Sequence, residues 1–134
     1  MRLRGLDGRR RRLLARAAVL LTVASAAVAL LPFMRAVRLG AVPLGRRRSI
    51  EIDDCTWAIE AAARRLPWRT VCIEKGIALQ RLLRSRGIDA ILHYGARHHP
   101  DSGKLEAHVW VSVGDKAVIG GEEAAGFVEV AAYP

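Results

Sequence analysis

Aromatic residues are scarce in this chain of 134 residues, at 5% of the sequence, and Phe33 is the only one among the first fifty residues. Proteins that bind single-stranded nucleic acid stack bases on aromatic side chains and spread basic groups over a folded face. Here the net charge of +9 comes from residues 1–50, which carry twelve arginines and Asp7, whereas residues 51–134 carry a net charge of −2. Because the basic charge is confined to an apolar segment without stacking platforms, nucleic-acid binding is not expected.

Cysteine is equally sparse, with Cys55 and Cys72 alone. Two cysteines make no disulfide framework, and the chain has no Cys-x-x-Cys motif or His–Cys cluster at zinc spacing. His98 and His99 are adjacent but have no third ligand at metal spacing. We therefore expect reduced cysteines and neither a metal nor a cofactor.

Residues 17–34 contain no charge, which just reaches the length of a transmembrane candidate. Three interpretations remain open: a cleaved signal peptide, a membrane-associated helix, or a helix that packs on the domain and ends at Pro32, with a short turn over residues 33–39. We favour the last two. The chain is accordingly divided into an Arg-rich segment, residues 1–50, with an apolar helix at residues 13–34 and a linker, and a domain, residues 51–134.

Two helices are predicted at the start of that domain. The first covers residues 50–66 and ends before Pro67. Thr70 is the predicted N-cap of the second, which places Cys72 in its first turn, and Gly87 ends it with a left-handed cap. The inward face of the second helix consists of Cys72, Gly76, Leu79 and Leu83. Gly76 on this face predicts a close approach by another backbone.

Strands follow the helices, at residues 88–94 and 107–113, with a polar loop between them. The second strand alternates, and places His108, Trp110 and Ser112 opposite its valines. Gly114-Asp115 predicts a tight hairpin turn into a return strand, residues 117–119. Counting back from a pairing of Val113 with Lys116 places Gly121 opposite His108.

Cys72 and His108 are the candidate catalytic pair. A helix N-terminus stabilises a thiolate, and an imidazole on a neighbouring strand is the usual base for such a nucleophile. Either residue taken alone has an ordinary structural interpretation, a small buried side chain or a satisfied core histidine. Cys55 is interpreted as core packing, and His93 as a structural or surface residue.

Several motifs resemble the transglutaminase-like cysteine peptidases of lasso-peptide biosynthesis. They are Leu66-Pro67-Trp68-Arg69, the run from Val71 through Cys72-Ile73-Glu74 to Arg84, Arg86-Gly87-Ile88-Asp89-Ala90, and Glu106-Ala107-His108-Val109-Trp110-Val111. The resemblance covers residues 52–134. It implies a small papain-like or transglutaminase-like α+β fold, with a cysteine-bearing core helix packed on an antiparallel sheet that carries the histidine.

The same resemblance implies an activity. These bacterial hydrolases remove the leader from a ribosomally made antibiotic precursor (a RiPP), which frees the core amine for macrolactam formation. Cys72 would be the nucleophile and His108 the base and then the acid. The backbone N–H of Cys72 would stabilise the oxyanion, and Trp68 and Trp110 are further oxyanion or substrate-site candidates.

One departure from the family pattern concerns the third member of the triad. Relatives usually carry an Asp across from the histidine, where the predicted register places Gly120 and Gly121. Glu122, Asp115 or a backbone carbonyl are the candidate substitutes for this group.

Partners also follow from the resemblance. We expect three partners: a precursor peptide, a separate winged-helix leader-binding protein and the ATP-dependent macrocyclase. The leader-binding protein is expected to be separate because residues 1–50 are too few and too apolar to form a winged helix. The expected location is cytoplasmic, with association to the inner membrane face through residues 13–34 as an open variant. Two alternatives to the peptidase are a non-catalytic scaffold for precursor or cyclase, and an acyl or amide transferase that uses the same Cys–His pair.

Overall fold

The computed structural model describes residues 8–45, 52–114, 116–121 and 126–133. Within them, helices and strands follow the expected α+β order. The helices are α1 (Gly8–Leu30), α2 (Phe33–Ala36) with a 3₁₀ turn at Val37–Leu39, α3 (Ile52–Arg65) and α4 (Cys72–Ser85). The strands are β1 (Ala90–His98), β2 (Leu105–Val113), β3 (Lys116–Ile119) and β4 (Val128–Tyr133).

Helix α1 packs against both α3 and α4. Its buried stripe repeats at helical spacing and consists of Leu13, Leu14, Ala17, Leu21, Ala24 and Ala27. The helix ends two residues before Pro32, which cannot continue a helix, and a short second helix follows, as predicted. The predicted linker at Arg46–Arg48 lies outside the described residues.

Helix α4 begins one residue later than predicted. Val71, not Thr70, is the N-cap, with extended backbone angles, so Cys72 is the first helical residue. The Glu74 carboxylate accepts a hydrogen bond from the Val71 N–H at 3.4 Å, but Val71 has no side-chain oxygen that could accept from the first N–H groups of the helix, as a Thr70 hydroxyl was expected to do. Gly87 ends the helix with a φ of 79°, as predicted.

The four strands form one antiparallel sheet in the order β3-β2-β1-β4. Val113 pairs with Lys116 as predicted, but a bulge at Val111/Ser112 places Val111 opposite Ile119. The predicted register was therefore wrong by one residue beyond the bulge, because an extra residue in one strand shifts every later pair. The predicted pairing of Gly121 with His108 fails for this reason.

Gly76 marks the contact between α4 and the sheet. A Cβ at this position would lie 2.8 Å from both Leu92 Cδ1 and Val109 Cγ1, and 3.8 Å from Val111 Cγ2. The predicted approach by a second backbone was therefore wrong, because side chains of the sheet fill the space beside Gly76. These distances also show that Val109 and Val111 face α4.

Candidate active site

Cys72 lies at the start of α4, half-buried. The first N–H groups of a helix have no acceptor within the helix, and together with the helix dipole they favour a negative charge at this end. Residues 69–71, immediately before the cysteine, line the same cleft as Cys72. The helix start therefore presents a thiol and backbone donors to one open space.

His108 lies on β2 and is 6% exposed. Its Nε2 atom is 2.8 Å from the carbonyl oxygen of Gly120. A carbonyl only accepts hydrogen bonds, so in the neutral ring this bond fixes the proton on Nε2 and leaves the lone pair on Nδ1. The Gly120 carbonyl therefore favours the neutral tautomer in which Nε2 carries the proton.

Cys72 and His108 line one cleft of about 1210 Å³. Its walls come from α3, the start of α4, β2 and the segment at residues 117–121. Two ion pairs lie along it, Lys75–Glu60 at 3.1 Å and Arg97–Glu106 at 2.9 Å. A cleft of this size can admit a peptide segment, with a thiol and an imidazole both within it.

A chain of hydrogen bonds supports the backbone that precedes Cys72. The Trp68 indole N–H donates to Ser25 Oγ at 3.1 Å, and the Ser25 hydroxyl donates to Glu74 Oε2 at 3.1 Å. Because Glu74 also accepts from the Val71 N–H, helix α1 is tied directly to the helix start that carries the thiol.

Comparison with known proteins agrees with this architecture. The sequence profile of the transglutaminase-like superfamily matches residues 17–132.

The chain belongs to the transglutaminase-like superfamily.

This superfamily includes cysteine peptidases and acyltransferases. The match begins inside α1 and extends to the end of β4, so it covers both the thiol-bearing helix and the histidine strand. No curated protein and no solved structure matches the chain.

Two tryptophans were candidate site residues of this transglutaminase-like domain. The Trp68 indole N–H is bonded to Ser25, which fits a packing role better than an oxyanion donor. Trp110 stacks on the His108 ring with centroids 6.0 Å apart, and on His93 at 5.4 Å. Trp110 therefore packs on one side of the His108 imidazole.

The other histidines have structural partners. His93 contacts Glu129 and Ser112 on neighbouring strands. His98 bonds the Gly103 carbonyl, and His99 accepts from two backbone N–H groups of the same loop. Among the described residues no group of three potential ligands could hold a metal.

Cys55 is fully buried in α3. Burial raises the pKa of its thiol from 9.0 to about 11, so it is a poor nucleophile at neutral pH. This agrees with its interpretation as core packing.

Three contributors to the site were missed in the sequence. Ser25 lies in an apolar run 49 residues from Glu74, and no local pattern connects them. Phe127 packs against the His108 ring with centroids 5.2 Å apart, and no local pattern connects these two residues, which are 19 positions apart in the sequence. Gly120 contributes only a carbonyl, and the motifs predicted a backbone carbonyl as a possible acceptor without identifying the residue. Asp115 and Glu122, the two acidic candidates, lie outside the described residues.

Proposed function

We propose that this protein is a cysteine peptidase that removes the leader peptide from a lasso-peptide precursor. The observation that carries the proposal is one cleft lined by both Cys72, at the first position of α4, and His108, whose Nε2 is held by the Gly120 carbonyl. The motifs around both residues resemble this peptidase family, and the superfamily itself includes cysteine peptidases.

The proposed reaction has two halves. The Cys72 thiolate attacks the carbonyl carbon of the amide that joins leader and core, and the Cys72 N–H stabilises the resulting oxyanion. The C–N bond breaks as protonated His108 donates a proton to the departing core amine, which leaves the leader as a thioester on Cys72. His108 then removes a proton from water, which attacks the thioester and releases the leader carboxylate and the thiol.

The precursor, a separate leader-binding protein and the ATP-dependent macrocyclase are the proposed partners. The macrocyclase consumes the amine that cleavage frees, and its need for ATP favours a cytoplasmic site of action. A leader-binding partner would supply substrate affinity that a small domain with one open cleft does not provide by itself.

The test is to incubate the full-length protein with a lasso precursor and its leader-binding protein, and to follow the intact masses. We expect wild type to release a leader-sized acid and a core with a free amine, and we expect cleavage to be lost in Cys72→Ala and His108→Ala. His98→Ala is the matched control, because that histidine bonds a loop carbonyl away from the cleft. Omission of the leader-binding protein should lower the cleavage rate.

Each alternative gives its own product. An uncut precursor that still binds the wild-type protein would identify a scaffold and overturn the peptidase proposal. A leader joined to an added amine, in place of the free acid, would identify a transferase.

A further inference from the structure

One face of helix α1 is exposed and apolar although the opposite face is buried. Val19, Val23 and Leu30 are 61%, 50% and 81% exposed, and they form one stripe with the exposed Ala26 at helical spacing. Leu31, Phe33 and Met34 continue the exposed apolar surface past the end of the helix. We call these seven residues the α1 face.

Thr22, which lies beside the stripe, has a hydrogen-bond acceptor within the helix. Its Oγ1 donates to the Ala18 carbonyl at 2.8 Å, so this hydroxyl needs no bond from water. At the far end of the face, the Tyr133 hydroxyl donates to the Met34 sulfur at 3.7 Å. The side chains of the α1 face are themselves all apolar, so their burial in hydrocarbon desolvates no charged or hydrogen-bonding group of their own.

The charges near this face have one sign. Arg12 and Arg16 precede the stripe and Arg35 and Arg38 follow it, all of them exposed. The sequence has no acidic residue between Asp7 and Glu51. Basic residues at both ends of an apolar helix face match an anionic lipid surface, and a protein partner would need an unusually acidic rim to match them.

The buried stripe determines how the helix can meet a bilayer. Although α1 is long and apolar enough to cross a membrane, its other face packs on α3 and α4. A spanning helix would give up that packing, whereas a helix lying in the plane of the interface keeps it.

We propose that the α1 face docks the protein on an anionic membrane, with α1 parallel to the surface and the catalytic domain outside the hydrocarbon. This surface does not depend on the peptidase activity. Since Ser25 of α1 is bonded to Trp68 and Glu74, docking would hold the start of α4 at a fixed distance from the lipid.

The experiment is co-sedimentation of the full-length protein with phosphatidylcholine vesicles that contain or lack phosphatidylglycerol. We expect at least about tenfold more bound protein with the anionic lipid at low salt, and a decrease as salt is raised. The Val19→Glu/Val23→Glu variant should lose at least about tenfold in binding. Val128→Glu/Val130→Glu is the matched control, because it makes the same change at two exposed valines of β4 and should bind like wild type.

Circular dichroism checks that each variant is folded, and Leu30→Glu replaces the double variant if that one does not fold. Three results would overturn the proposal. The first is a wild-type protein that stays in the supernatant with anionic vesicles, and the second is an α1-face variant that binds these vesicles as well as wild type does. The third is a wild-type protein that does not bind vesicles but forms a concentration-dependent dimer, which the α1-face variant abolishes. The third result would show that a second copy of the chain covers the α1 face.

Discussion

The carbonyl of Gly120 accepts a hydrogen bond from the His108 ring, and in the proposed mechanism it orients the imidazole. It fixes the imidazole tautomer through a 2.8 Å bond to Nε2, and Trp110 and Phe127 pack on the ring. A carbonyl stabilises the imidazolium less than a carboxylate does, but a thiol needs less activation than a hydroxyl.

If the carbonyl is the orienting group, the acidic residues nearby in sequence are dispensable. We expect Asp115→Asn and Glu122→Gln to lower the cleavage rate by less than about tenfold, compared with the ~10⁴ that removal of a triad carboxylate costs. Single-turnover cleavage of the precursor is the measurement. A loss near the larger value in either variant would assign that residue to the triad.

The two thiols should differ in reactivity. Cys72 lines an open cleft, whereas burial raises the pKa of Cys55 to about 11, so Cys55 stays a protonated thiol until the pH approaches that value. At pH 8 we expect iodoacetamide to modify Cys72 at least about tenfold faster than Cys55 in the native protein. Peptide mapping reports both sites, and Cys72→Ser should abolish the fast reaction. Equal rates in the native state would contradict this account.

At the scale of elements, the sequence was most informative where the pattern is local. The alternation of β2, the Gly87 cap and the turn at Gly114 all depend on neighbouring residues, and all three were predicted correctly. The start of α4 and the register beyond Val111 were predicted incorrectly. The start of α4 involves Glu74, whose carboxylate is bonded to Ser25 of α1, a helix far away in the sequence. The register beyond Val111 depends on a bulge, and no residue type in the strand predicts it.

Gly76 gives the test at this scale. Gly76→Ala places a methyl group within 2.8 Å of Leu92 and Val109, and such overpacking costs about 1–3 kcal/mol, against a gain of about 1 kcal/mol in helix propensity. We expect a net loss of up to about 2 kcal/mol in the free energy of unfolding, measured in urea. Gly8→Ala is the control, because nothing lies within 4 Å of its added methyl. A Gly76→Ala variant about 1 kcal/mol more stable than wild type, as helix propensity alone predicts, would contradict the close packing.

At the scale of the whole molecule, α1 contributes to the same core as α3 and α4. Leu21 and Ala17 are fully buried together with residues of α3 and α4. From the composition of the sequence, residues 1–50 were predicted to be a segment apart from the domain, because the charge and the hydropathy of the chain change after residue 50. Composition does not report packing, so the division into segment and domain stays a prediction that a deletion can test.

Removal of residues 1–31 would expose the α1-facing sides of α3 and α4. Because the remaining chain is short and would lose six buried side chains of α1, we expect no cooperative thermal transition by circular dichroism. A shortened chain that melts like the full-length protein would show that residues 32–134 fold without α1.

The most direct test of the central claim is to trap the covalent intermediate. Acid-quenched wild-type protein, mixed briefly with precursor and leader-binding protein, should gain the mass of the leader acyl group. Hydroxylamine should remove this mass, and peptide mapping should place it on Cys72. Cys72→Ala should form no adduct, whereas Cys55→Ala should form it as wild type does. Cleavage that proceeds in Cys72→Ala, or an adduct on another residue, would contradict the assignment of Cys72 as the nucleophile.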